Sequence, residues 1–225
     1  MNDIKISLKR RFNLLIVLLV CLCTSCTAPV AGWWAHVFVG PDDVFPKYEI
    51  PKKKTALIFV EESPHLYGRS DIADVLSLRL KNDLMKNEVF VKVVAPVQLR
   101  QRLAEPRYKK MSVRDIGAEF NVDYVLKVKI ADFSLGDAEN ESVYKGRLAS
   151  KVTLIDVRKK KIAWPTDTID GHTMPSIVKP WHSNHSKRHI DSLTRKLAWD
   201  LSDKIAKLFY THQRSSHVEI VREEE

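Results

Sequence analysis

An α/β fold, a mixed sheet with helices packed on it, is what this sequence predicts, and three observations carry that expectation. TALIFVEE, residues 55–62, is an apolar run of strand length, as in a strand buried on both faces. The stretch from Ser70 to Lys86 sets Ile72, Val75, Leu76, Leu80 and Leu84 at helical spacing. VDYVLKVKIADF and ESVYKGRLASKVTLIDV then switch to a period of two. In the first, Tyr124, Leu126, Val128 and Ile130 alternate with Val125, Lys127, Lys129 and Ala131. In the second, Tyr144, Leu148, Val152 and Leu154 oppose Lys145, Arg147, Lys151 and Thr153, and the two read as an antiparallel pair.

The remaining elements follow from the same signals. VFVKVVA, residues 89–95, reads as a second strand, and Pro96 opens a short helix through Leu103, since proline is tolerated in a first turn. In SVRDIGAEF, Ser112 and Asp115 are spaced as a capping box, with Val113, Ile116 and Phe120 on one face. Arg158 to Lys161 form a turn into KIAWPT, another strand. A final helix from about Ser186 to His212 carries the stripe Ile190, Leu193, Leu197, Leu201, Ile205 and Leu208. The expected order is β-α-β-α-α-β-β-β-α.

Ahead of this domain the chain has a different character. The apolar run from Leu14 to Cys23 is about half the roughly 20 residues a membrane helix needs. Lys5, Lys9, Arg10 and Arg11 precede it and small residues follow, the order of an export signal. Leu22-Cys23-Thr24-Ser25-Cys26 resembles the lipobox of bacterial lipoproteins. That resemblance implies cleavage after Ser25 and a diacylated Cys26 as the new N-terminus; ordinary secretory cleavage after Ala28 is the alternative. The three cysteines, at 21, 23 and 26, leave no pair for a disulfide after cleavage, and acylation would occupy the one that remains. Thr27 after the cysteine resembles the sorting pattern of outer-membrane lipoproteins.

Removing residues 1–25 takes away four cations and Asp3, so the net charge falls from +9 to +6. Residues 26–54 read as a tether punctuated by Pro29, Pro41, Pro46 and Pro51, in which Trp33 and Trp34 suit either membrane headgroups or a protein surface. Residues 55–212 read as the globular domain, and 213–225 as a charged C-terminal tail.

The succession IGAEFNVDYVLKVKI, VTLIDVRKKKIAW and an amphipathic C-terminal helix resembles a domain shared by several envelope proteins. These are the curli-secretion lipoproteins, the N-terminal domain of TolB, and the outer-membrane lipoproteins that activate penicillin-binding proteins. Gly117, Asp123, Tyr124, Val125, Asp156, Lys161, Ile162 and Trp164 carry the likeness, which covers about residues 55–210. It implies a TolB-N-like mixed sheet and a role in envelope assembly or binding.

Catalytic signatures are sparse. The seven glycines are never closer than eight apart, which removes dinucleotide fingerprints and phosphate-cradling loops, and no GxSxG occurs. A dispersed Ser-His-Asp triad stays open. Two clusters are candidate sites. Glu61, Glu62, His65, Tyr67 and Arg69 follow the first strand, where open α/β sheets bind ligands, though a hydrophilic loop would look the same. His182, His185 and His189 have spacings that suit zinc on a helix, but Lys187 and Arg188 stand beside them and a solvated helix start is the plain alternative. A third candidate is the basic strand face of Lys127, Lys129, Lys145, Arg147 and Lys151, suited to an anionic partner or serving only to keep an exposed sheet from sticking.

The expectation is therefore a lipid-anchored envelope lipoprotein, in the outer membrane and facing the periplasm. It would act as a binding or assembly module rather than an enzyme, with no cofactor and no nucleic acid. Its partners would be the membrane, through the anchor, and an envelope protein or anionic envelope polymer. The alternative is a periplasmic ligand- or metal-binding protein using the 61–71 loop or the three histidines.

Overall fold

The computed structural model describes residues 43–62, 71–137, 143–175, 177–182 and 187–214. The signal segment, Cys26, Trp33, Trp34 and the tail from residue 215 lie outside them. The main compact unit is Phe45–His212, and the terminal segments form a second unit. The main unit thus starts ten residues before Thr55. Ile50 is buried in its core, and the N–H groups of Lys47 and Tyr48 donate to the Leu208 carbonyl at 2.8 and 3.3 Å. Among the described residues every core residue lies between Ile50 and Phe209, within this unit.

In chain order the elements are β1 (Asp43–Val44), β2 (Thr55–Glu61), α1 (Asp71–Lys86), β3 (Lys92–Val93), α2 (Pro96–Leu103), a 3-10 turn (Tyr108–Lys110), α3 (Val113–Glu119), β4 (Tyr124–Asp137), β5 (Val143–Asp156), β6 (Lys161–Trp164), β7 (His172–Thr173), β8 (Ile177–His182), α4 (Lys187–Ala206) and β9 (His212–Gln213). The fold is a mixed sheet in the order β3-β2-β4-β5-β6, with β7 and β8 also on β5. β2 runs parallel to β3 and β4, while the pairings of β5 are antiparallel.

Local chemistry explains the boundaries. Ser112 Oγ accepts from the Asp115 N–H at 3.2 Å, the cap that starts α3, and the hydroxyl reaches the Asp115 carboxylate at 2.6 Å. This bond, with Arg114 adding to it, holds the Asp115 carboxyl below its ordinary range. α4 ends at Ala206, short of His212, because Leu208 and Phe209 donate to carbonyls three residues back, tightening the last turn. Two strands before α4, β7 and β8, were hidden by Pro175 and Pro180; a strand bonded only to β5 at the sheet edge tolerates proline. β3 is two residues long rather than seven, since Val89 and Phe90 turn into the core and only Lys92 and Val93 pair with β2.

The sheet is covered on both faces, unequally. On one side α1 (Ile72, Leu76, Leu80, Leu84) and α4 (Leu193, Leu197, Leu201, Ile205) pack on Ile58, Leu126, Val128, Ile130, Leu148, Val152 and Leu154. Burying each such side chain is worth about 1.5–3 kcal/mol. On the other side a smaller core joins Leu57, Val125 and Val157 to Leu99, Tyr108 and Ile116. Val125 alternates with Leu126, on the side of the lysines, yet it is fully buried, because α2, the 3-10 turn and α3 cover the start of β4. Gly117 is what lets α3 sit so close. A Cβ there would lie 2.4 Å from Val125 Cγ2 and 2.9 Å from Val157 Cγ2.

Candidate functional site

Past Val125 the small core gives out, and the same face of β4 and β5 carries charge. Register places Lys127 and Lys129 opposite Thr153 and Lys151, and, beyond an irregularity at Ile130/Asp132, Ser134 opposite Arg147 and Gly136 opposite Lys145. The five predicted basic positions therefore share one face. The side chain of Lys145 lies outside the described set.

This face is not a bare cationic strip. Lys127 Nζ is 2.6 Å from Glu61 Oε2, and Lys129 Nζ is 3.9 Å from Glu61 Oε1. Arg147 Nε meets Asp132 at 3.1 Å, and Lys151 Nζ meets Asp170 at 3.5 Å. Exposed pairs of this kind contribute about 0.2–1 kcal/mol each, so their value lies in presenting both signs of charge at fixed spacing on a sheet. Parallel pairing of β2 with β4 sets Glu61 opposite Lys129 and joins the first residue of the 61–71 candidate loop to the basic face.

The other loop residues divide. Glu62 lines a cleft of about 180 Å³ with Val60, Asp74, Ser77, Leu99 and Arg100, between α1 and α2, where Arg100 is ion-paired with Asp74. His65, Tyr67 and Arg69 lie outside the described residues. The histidines are not on one helix. His182 ends β8, His189 is in the first turn of α4, and His185 lies outside the described residues. Among the described residues no group of three or more His, Cys, Asp or Glu side chains could hold a metal ion, and no helix is long and apolar enough to cross a membrane.

A heavily bonded polar side chain is Asp123, at the start of β4. Its carboxylate accepts from the Thr55 N–H and hydroxyl, both at 3.0 Å, and pairs with Lys54 at 3.3 Å and Arg158 at 2.9 Å. Burial alone would raise this carboxyl; the Thr55 and Lys54 hydrogen bonds outweigh it and hold it below the ordinary range. Beside it, burial pushes the Tyr124 hydroxyl up to about 12, with Tyr48, to which it is hydrogen-bonded, adding to the effect. Asp156 closes the β5–β6 turn by accepting the Lys159 N–H at 2.8 Å. Long-range bonds to Thr55 and Arg158 leave no spacing signal, so periodicity could not single out Asp123; only the family likeness touched it.

No family model matches this chain, and no curated protein matches it. Among solved structures it is similar to PelC, a dodecamer from Paraburkholderia phytofirmans, at 10% identity over 76% of this chain and 98% of that one, TM-score 0.42. It is also similar to protein XCC0632 from Xanthomonas campestris, at 9% identity over 75% of this chain and 88% of that one, TM-score 0.47. A third likeness is to lipoprotein GNA1162 from Neisseria meningitidis, at 14% identity over 69% of this chain and 99% of that one, TM-score 0.42.

Proposed function

We propose that this chain is a lipid-anchored lipoprotein of the bacterial envelope, held in the outer membrane facing the periplasm, and that it works by binding rather than by catalysis. The observation that carries the reading is the open face of β4 and β5, where Lys127, Lys129, Arg147 and Lys151 interleave with Glu61, Asp132 and Asp170. Charges of both signs held on strands suit an envelope protein of complementary pattern better than a uniformly anionic polymer. The export signal and the lipobox at Leu22–Cys26 support the location. A periplasmic small-ligand protein has the cleft beside Glu62 in its favour, but about 180 Å³ is below the roughly 300–1,000 Å³ of ligand sites.

Two outcomes are expected. Cys26→Ser should abolish incorporation of labelled fatty acid and release from the membrane whatever is exported, because each buried CH₂ of an anchor contributes roughly 0.8 kcal/mol. A variant that still lost residues 1–25 and stayed membrane-bound through a high-salt wash would sink the anchor. Separately, changing Lys127, Lys129 and Lys151 to Gln should leave the melting temperature nearly in place, since exposed substitutions usually fall within about 0.5 kcal/mol. A partner crosslinked to the wild type in its own envelope should be missing from the variant. Capture of the same partner by both would remove this face from the proposal.

A further inference from the structure

The end of the sheet where β2 and β4 begin gathers charge from two parts of the chain more than a hundred residues apart. Lys52, Lys53 and Lys54 form the turn into β2, and Arg158, Lys159, Lys160 and Lys161 form the turn from β5 into β6. Asp123 ties the two turns together, with Lys54 Nζ at 3.3 Å and Arg158 Nη2 at 2.9 Å from the same oxygen. The carboxylates nearest this end, Asp123 and Asp156, are buried at 8% side-chain exposure, while Arg158 and Lys159 are about three-quarters and two-thirds exposed. Lys52, Lys53, Lys160 and Lys161 are all exposed, and Glu49 is the nearest exposed acid in sequence. Both turns hold a lysine in the left-handed region, Lys53 at φ 62° and Lys160 at φ 53°. Glycine would sit there without steric cost. The chain accepts the strain and keeps a cation.

The same end is where the compact unit begins. Lys47 and Tyr48 bond to Leu208, and Tyr48 reaches Tyr124, the residue next to Asp123. Residues 27–44, between the proposed lipid attachment and Phe45, number eighteen and span at most about 60 Å when fully extended. The cationic pole is therefore the part of the domain to which an anchored N-terminus leads.

We infer that this pole docks on the anionic headgroups of the bilayer that holds the anchor, fixing the orientation of the domain on the membrane. The inference rests on the proposed lipid anchoring; two acyl chains on Cys26 would already hold the protein to the bilayer, and the polybasic patch sets which side of the domain faces it. Anionic lipid is the occupant that matches the exposed Lys52, Lys53, Lys160 and Lys161, joined by Arg158 and Lys159, which stay largely exposed although they pair with the buried Asp123 and Asp156.

The test uses residues 27–225 without lipid, which contain every core residue among those described. Sedimentation with vesicles of phosphatidylglycerol and phosphatidylcholine in equal parts is compared with pure phosphatidylcholine. Binding to the anionic vesicles alone is expected, fading between 0.1 and 1 M salt as the screening length shortens from about 10 to about 3 Å. Each lysine near such a surface is worth roughly a fivefold change in partitioning. A variant with Lys52, Lys53, Lys160 and Lys161 changed to Gln should thus lose upwards of a hundredfold while melting as the wild type does. If the quadruple variant unfolds, the two turns are changed separately, each then expected to lose at least tenfold. The Lys127/Lys129/Lys151→Gln variant should lose far less than the pole variant does. Absence of wild-type binding, unchanged binding by the pole variants, or equal loss in the sheet-face variant would each overturn the inference. Because acylation plays no part in this assay, its result is separate from that of the Cys26→Ser experiment.

Discussion

Asp123→Ala is expected to destabilise the domain by about 3 kcal/mol, lowering the melting temperature by roughly 6–12 °C for a domain of this size. The loss has an identifiable source. Thr55 is half-buried, and it would keep a backbone N–H and a hydroxyl whose acceptor, a carboxylate 3.0 Å away from each, is gone; each orphaned donor out of full reach of water costs about 1–3 kcal/mol. Lys54 and Arg158, at 29% and 74% side-chain exposure, regain water and contribute little. The acid limb follows from the lowered pKa of this carboxyl. Its contribution is complete above the unfolded value near 3.9 and disappears as pH falls through the lower folded value. Asp123→Asn should remove that acid-dependent share while retaining one acceptor oxygen, and so cost less than alanine. Wild-type melting and acid profiles in Asp123→Ala would show that the lock contributes nothing.

Gly117→Ala should also destabilise, by about 1–3 kcal/mol, although alanine is the better helix former by about 1 kcal/mol. The new methyl would stand 2.4 Å from Val125 Cγ2 and 2.9 Å from Val157 Cγ2. Both neighbours are β-branched with stiff χ1 angles, and Val125 is fully buried, so neither swings aside cheaply. Val125→Ala makes room for that methyl. Urea melts of the two single variants and the double variant should therefore show strong non-additivity, the double being more stable than the sum of the singles implies. Additive losses would mean that α3 shifts as a body and that the close approach is not what this glycine serves.

What the sequence discloses about this fold follows the range of the interaction concerned. The Ser112 cap, the helix from Pro96 to Leu103, and the alternation of Leu126, Val128 and Ile130 are decided within a few residues and can be read directly. Val125 misleads, because its alternation is that of the lysines and only tertiary covering by α2 and α3 buries it. β8 was hidden by Pro180, whose breaker signal is weaker at an edge. At the candidate surface, the five basic positions can be placed on one face from the sequence. Their carboxylate partners cannot, since Glu61 reaches Lys127 only through a parallel register and Asp170 reaches Lys151 from the segment before β7. Likewise the runs at 52–54 and 158–161 are plain in the sequence, while their meeting at Asp123 is not.

The topology also orders the closures the chain must make. β4 and β5 are joined through residues 138–142, whereas β2 meets β4 only after residues 62–123. By the logarithmic dependence of closure entropy on loop length, the second closure costs about 2 kcal/mol more than the first. The hairpin can assemble from its own contacts, and β2 is the strand that waits. Until β4 exists, one edge of ALIFV is open along its whole length and the other meets only the two-residue β3, at Thr55 and Ala56; five consecutive apolar residues of strand-forming composition are what a second unfolded chain would pair with. The interval before β2 docks is therefore when this protein is most exposed to aggregation, and Lys52 to Lys54 with Glu61 and Glu62 flank that run as charged gatekeepers.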